Sequence, residues 1–137
     1  MILVLVASGI YYFVFLNQET VLEESTRTVE YFHWQKMIVT YEEDATIDID
    51  FSIVEGTTID LLVFNKTEYN EFYYIMTMDS GLFKPLISEL NVESASLQFK
   101  VPSDGLFYVI VNNAGKIDGG ALPRGDVTFF IKISSNR

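Results

Sequence analysis

Ile47, Ile49, Phe51 and Ile53 alternate with Asp48, Asp50 and Ser52. Successive side chains leave a strand on opposite sides, so this period of two marks a strand with one dry face and one wet face. The same alternation returns near the end of the chain. Leu97, Phe99 and Val101 flank Gln98 and Lys100, while Val127, Phe129, Ile131 and Ile133 alternate with Thr128 and Lys132. Dry strand faces must be buried against a second layer, and these widely separated strands predict packed sheets. Phe130 interrupts the polar side of the last strand, which predicts that this face is partly covered by a stalk or a partner.

The intervening segments fit the same architecture. Residues 29–35 and 37–41 are rich in β-branched and aromatic residues. Glu55-Gly56-Thr57 turns the chain into Ile59-Asp-Leu-Leu-Val-Phe64, a mostly apolar run expected to be a more deeply buried strand. Asn65, with Glu68 three residues later, predicts a capped helix, and Tyr69, Phe72, Tyr73 and Met76 share one face at helical spacing. This helix is expected to lie across the domain as a lid and to end at Asp79-Ser80-Gly81, with an irregular crossover containing some extended structure over 82–92. Pro102-Ser-Asp104-Gly105 predicts a tight hairpin before a strand over 106–111, because glycine takes a positive φ without steric cost. Glycines and Pro123 make 114–124 a long loop. Seven or eight strands with one helix and no βαβ rhythm predict an all-β protein, an antiparallel, jelly-roll-like β-sandwich.

Residues 1–16 carry no charge, and a helix of that length would be about 24 Å long, near the thickness of a hydrocarbon layer. The expected organisation is therefore a transmembrane anchor over 1–18, a polar stalk over 19–28 and a sandwich domain over 29–137. A cleaved signal peptide is the alternative, although no basic residue precedes the apolar run. The anchor implies contact with membrane lipid, and its position as the first segment favours an extracytoplasmic domain. Nineteen acidic against nine basic residues give a net charge of −10, which repels phosphate backbones and excludes non-specific nucleic-acid binding. With no cysteine, disulfides and thiolate metal sites are unavailable, so an extracytoplasmic domain would depend on its core.

Three stretches carry a family resemblance. Residues 58–64, the segment Phe99-Lys-Val-Pro-Ser-Asp-Gly-Leu-Phe-Tyr-Val-Ile-Val-Asn-Asn113, and residues 125–133 are together similar to the GOLD (Golgi dynamics) domain, the lumenal β-sandwich of cargo receptors. They also resemble small archaeal membrane-anchored proteins and bacterial pre-peptidase C-terminal domains. The resemblance covers roughly residues 32–133 and implies a sandwich with a binding or scaffolding role and no catalytic residues. The cysteine pair, coiled coil, C-terminal span and sorting tail of the cargo receptors have no counterpart here, so cargo-receptor function does not carry over.

Candidate sites each have a plainer structural explanation. Glu42, Asp44, Asp48 and Asp50 stand at even spacing, and Asp48 with Asp50 offers a calcium-binding edge, or simply the wet face of a strand. A glycosidase pair would need carboxylates flanking a cleft rather than adjacent on one strand. His33 is the sole histidine and is expected to be structural beside Phe32 and Trp34; no Gly-x-Ser-x-Gly elbow is present. Arg124-Gly125-Asp126 is an adhesion tripeptide that also suits a loop-to-strand junction. Asn65-Lys66-Thr67 is an N-glycosylation pattern that competes with the helix cap. Tyr73, Tyr74 and Phe130 are the candidate ligand or partner surface, with core packing as the alternative for the helical aromatics. Asp104 and Gly105 are expected to be critical to the turn.

These readings predict a non-catalytic, cofactor-free accessory or binding subunit of a membrane or cell-envelope protein complex. The alternatives are a surface module for carbohydrate or calcium, and a pilin-like filament subunit that would lack the glutamate usual near the start of a pilin helix.

Overall fold

A computed structural model describes residues 3–7, 10–14, 19–78 and 85–136. Eight strands form two four-stranded antiparallel sheets. The first contains β3 (Thr20–Val29), β10 (Val127–Asn136), β5 (Thr46–Glu55) and β8 (Ser94–Lys100), in that order. The second contains β4 (Trp34–Thr40), β9 (Leu106–Asn112), β6 (Ile59–Phe64) and β7 (Ile87–Val92). Consecutive strands mostly change sheet, which is the two-Greek-key order of a jelly roll. The alternating residues meet between the sheets as expected: Ile47, Ile49, Phe51, Leu97, Phe129, Ile131 and Ile133 join Val63, Phe107, Val109 and Val111 in one buried cluster.

The single helix among the described residues, α1 (Lys66–Met78), explains the continuous apolar runs of β6 and β9. It covers the outer face of the second sheet, so these two strands are buried on both sides. Phe72 lies against Phe64 with ring centroids 5.0 Å apart, and Tyr69 stacks on Tyr108 at 4.4 Å. Full burial of a side chain such as Phe64 or Phe72 stabilises the fold by about 1.5–3 kcal/mol. The cap is formed as expected: Glu68 N–H donates to Asn65 Oδ1 (2.8 Å), and Asn65 N–H donates to Glu68 Oε1 (2.9 Å). Tyr73 departs from the expected buried stripe. It is exposed, its ring 6.4 Å from that of Trp34 in a T-shaped contact and 6.4 Å from that of Tyr69 in a tilted one. The expected stop at 79–81 lies outside the described residues.

Three further expectations are corrected. Within the proposed transmembrane helix over 1–18, β1 (Leu3–Ala7) instead pairs antiparallel with β2 (Ile10–Val14), Leu3 opposite Val14 and Ala7 opposite Ile10. The β-branched and aromatic composition that makes this run apolar also favours strands. Among the described residues no helix is long and apolar enough to cross a membrane; the rest of the proposed anchor lies outside them. Second, residues 19–28 contain no stalk: β3 starts at Thr20 and pairs with β10, so the sandwich begins there rather than at 29. Its polar sequence hides this, because an edge strand joined through its backbone needs few apolar side chains.

Third, Asp104-Gly105 makes a real turn but no hairpin. Gly105 has φ 71°, its N–H donates to Pro102 O (2.9 Å), and Asp104 Oδ1 accepts from Leu106 N–H (3.1 Å). Yet β8 pairs with β5 while β9 pairs with β4 and β6, so the turn carries the chain from one sheet to the other. The crossover expected over 82–92, with some extended structure, includes the edge strand β7, which pairs with β6 through an irregular register.

Candidate binding site at one end of the sandwich

Because the strands run alternately up and down, their connections alternate between two ends. The β3–β4, β5–β6, β7–β8 and β9–β10 loops therefore gather at one end although they are far apart in sequence. The first of them is fixed unusually firmly. Phe32 is 57 % exposed and has φ 64°, a left-handed conformation disfavoured for an aromatic residue with a Cβ. Its ring lies 4.0 Å, centroid to centroid, from that of Tyr31.

Hydrogen bonds from the β9–β10 loop hold this conformation. Phe32 N–H donates to Asn113 O (3.1 Å), and Asn113 N–H donates to His33 O (2.9 Å). The Asn113 amide, buried, donates through Nδ2 to Glu30 O (3.2 Å) and Gly125 O (2.7 Å). Asp126 Oδ1 accepts from Tyr31 N–H (2.8 Å). A strained exposed aromatic held from several directions is the arrangement expected where the side chain is presented for contact.

The β9–β10 loop is itself positioned by Asp60, a fully buried carboxylate in β6. Its Oδ1 accepts from the N–H groups of Asn91 (2.9 Å) and Ala121 (2.8 Å), and its Oδ2 accepts from Asn112 Nδ2 (3.3 Å). Asn112 in turn donates to Gly115 O (3.1 Å) and accepts from Ala114 N–H (3.1 Å). Gly120 passes so close that a Cβ there would lie 2.6 Å from Asp60 Oδ2. The buried acid thus ties β6 to β7 and to the glycine-rich loop. Above this network is an open polar cleft of about 430 Å³, lined by Thr57, Thr58, Asn91, Glu93, Leu122 and Arg124 together with Gly56 and Gly120. Thr58 Oγ1 donates to Asn91 Oδ1 across it.

The residues singled out from sequence lie elsewhere or serve this framework. Asp48 and Asp50 are on the outer face of the first sheet, where they accept from Gln98 Nε2 (3.0 Å) and Ser96 Oγ (2.9 Å). Nearby, Lys132 contacts Glu19 at 2.7 Å, which holds the Glu19 carboxyl below its ordinary pKa and the lysine above its own. Among the described residues no group of three or more His, Cys, Asp or Glu side chains is placed to hold a metal ion. Glu42 and Asp44 are at the opposite end, and Asp44 lies 3.8 Å from Lys100.

Phe130 is half-buried on the outer sheet face, opposite Thr26 and Ser52. Tyr73 and Tyr74 are exposed on α1. Asn65 is engaged in the helix cap, and Asp126 of the adhesion tripeptide is engaged with Tyr31. His33 is exposed at the loop end, its Nδ1 2.9 Å from Tyr31 O. The pinned Tyr31-Phe32 loop and the Asp60 network are absent from the sequence-derived candidates. A signal for the second was present: an acid in the middle of Ile59-Asp-Leu-Leu-Val-Phe64 has to be satisfied internally once that strand is buried.

No protein-family model and no curated protein matches the chain in sequence. Among solved structures its fold is similar to that of Aeromonas hydrophila PliG, a periplasmic lysozyme inhibitor of g-type lysozyme. The similarity has a TM-score of 0.50 at 11 % identity and covers 90 % of this chain and 91 % of that one. At this identity the likeness concerns the fold alone: a β-sandwich shared over nearly the full length of both chains.

Proposed function

We propose that the chain is a non-catalytic, extracytoplasmic protein-binding module that engages its partner through the loop end of the sandwich. Phe32 carries this reading: it is exposed, is held in a left-handed conformation, and is fixed by hydrogen bonds from two residues of the β9–β10 loop. Aromatic anchors on a rigid frame bind at low entropic cost, and Tyr, Phe and Trp are enriched at protein interfaces. PliG, similar in fold, is by its description a protein that inhibits another protein, and the GOLD-like stretches point to the same non-catalytic class. The finer reading, an accessory subunit of a membrane or cell-envelope complex, is tested by membrane fractionation of the full chain.

Phe32→Gly separates function from folding. Glycine relieves the positive φ, so stability should hold or rise by about 0.5–1 kcal/mol, while binding is lost. The assay is affinity capture from the cell envelope with wild type and variant, alongside urea unfolding of each. A g-type lysozyme, assayed for activity with and without the chain, is the first defined partner to try. A partner retained equally by both proteins would overturn the loop-end reading.

The exposed Tyr73 and Tyr74 favour a second reading, stacking of a carbohydrate on α1. Glycan-array binding that disappears in Tyr74→Ala and persists in Phe32→Gly would support it over the first.

A further inference from the structure

The loop end carries exposed acids as well as exposed apolar side chains. Phe32 is 57 % exposed and Leu122 is 73 % exposed. Each of the four loops at this end contributes an exposed acid at or beside its tip, Glu30, Glu55, Glu93 and Asp118, referred to below as the acidic ring. Two cations belong to the same end. They are Lys116, which donates to Met76 O in the last turn of α1 (3.2 Å), and Arg124, which lines the cleft; together they balance only two of the four acids. The local balance is therefore acidic, and the net charge of −10 adds a long-range field of the same sign.

Resting on the loop-end reading above, we propose that this surface docks on a cationic protein surface. Its apolar anchors would seat between lysine or arginine side chains that meet the acidic ring. A partner of acidic surface would be repelled before the aromatic contact forms, since like charges across an interface suppress wrong partners. An anionic membrane is disfavoured for the same reason. The acids around the rim would act mainly on association rate, and the buried apolar anchors on dissociation rate.

Isotope-labelled protein titrated with cytochrome c, a strongly basic probe, and with the same probe succinylated to reverse its lysines, tests the proposal by amide chemical-shift perturbation. The opposite end of the sandwich, with Glu42, Glu43 and Asp44, is an internal control of similar acidity. Expected shifts concentrate at 30–33, 55–58, 91–93 and 113–126 with the native probe and vanish with the succinylated one. Neutralising the ring (Glu30→Gln, Glu55→Gln, Glu93→Gln, Asp118→Asn) should weaken probe binding about tenfold or more at low salt. Equal shifts at 42–44, shifts that survive neutralisation, or no binding would overturn the cationic assignment.

The two readings fail separately. A captured partner that is lost with Phe32→Gly but indifferent to salt and to ring neutralisation would keep the loop-end site and remove its charge preference. A partner indifferent to Phe32→Gly would remove both.

Discussion

The close approach of Gly120 to Asp60 permits a quantitative test of the framework beneath the loop end. Replacing Gly120 with alanine places a methyl carbon 2.6 Å from Asp60 Oδ2 and 3.1 Å from its Cγ. The carboxylate cannot easily retreat, because Oδ1 is held by two backbone N–H groups at 2.8 and 2.9 Å and the residue is fully buried. Overpacking of this kind costs about 1–3 kcal/mol. Asp60→Ala removes the acceptor for two backbone N–H groups and for the Asn112 amide. At about 1–3 kcal/mol for each donor left unsatisfied and partial rehydration at Asn91, the loss should be about 2–5 kcal/mol. The same truncation vacates the space that the Gly120 methyl needs. Gly120→Ala should then cost little in the Asp60→Ala background, so the double variant should be more stable than the sum of the singles by about 1 kcal/mol or more. Equilibrium urea unfolding of the four proteins measures this, with Trp34, the sole tryptophan, as fluorescent probe and far-UV circular dichroism as the second. Additivity within about 0.3–0.5 kcal/mol would refute the contact, and with it the idea that a buried acid shapes the loop.

Other consequences can be checked with the same assay. Gly105 and Gly119 share a positive φ, 71° and 75°, but a Cβ at 105 would lie 2.8 Å from Tyr41 O while one at 119 meets nothing within 4 Å. Gly119→Ala should cost about 1 kcal/mol from backbone strain alone and Gly105→Ala about 2–4 kcal/mol, with Gly105→Val at least as damaging; equal losses for the two alanine variants would sink the packing argument. Asn65→Ala should destabilise by about 1 kcal/mol through loss of the α1 cap, an effect that Asn65→Asp would largely spare. Glu23 accepts from Ser25 Oγ (2.9 Å) and Arg27 Nη2 (3.0 Å), and these bonds hold its carboxyl below the ordinary value. Its contribution is therefore complete above the unfolded-state pKa, near 4.5, and is lost as pH falls through the lower folded value. Glu23→Gln should flatten the acid limb of stability against pH by less than about 1 kcal/mol, because the pair is partly exposed; an unchanged limb would contradict the assignment.

What could be read from the sequence follows from where side chains alternate. β5, β8 and β10 each bury one face and leave the other wet, so their pattern is explicit in residues 47–53, 97–101 and 127–133. The helix was legible for a similar reason, since Asn65 and Glu68 form a local capping box that needs no tertiary partner. β3 was hidden: its inward positions carry Glu23, Ser25 and Arg27 rather than apolar groups, and its place in the sheet depends on β10, about a hundred residues away in the chain. The Asp104-Gly105 turn shows the same limit. Its local chemistry specifies a positive φ at Gly105, but whether the flanking strands pair with each other is decided by β4, β5 and β6.

The loop end was illegible for a deeper form of the same reason. Nothing in Glu30-Tyr-Phe-His33 announces a left-handed Phe32, because the turn's own bond from His33 N–H to Glu30 O (3.0 Å) is reinforced by Asn113 and Asp126, more than eighty residues later. Those two in turn belong to a loop that is tied through Ala121 N–H to Asp60 in a third segment. Binding surfaces on sandwiches are often assembled this way, from connections that the up-and-down order of strands delivers to one end. The consequence for mutagenesis is specific. A substitution at Asp60, which is fully buried and lines no exposed surface, should alter recognition through the β9–β10 loop as strongly as one at Phe32, yet only the former should also lower stability. Measuring affinity and unfolding free energy together for Asp60→Asn and Phe32→Gly distinguishes a residue that supports the site from one that is the site. In Asp60→Asn the new amide would face the Nδ2 group of Asn112, donor against donor, at the position where 3.3 Å now separates donor from acceptor. Asn112 cannot turn over to cure this without giving up its bonds to Gly115 O and Ala114 N–H, so the loop must shift. If Asp60→Asn lowers stability by about 1–2 kcal/mol but leaves affinity for the partner intact, the loop is not part of the binding surface.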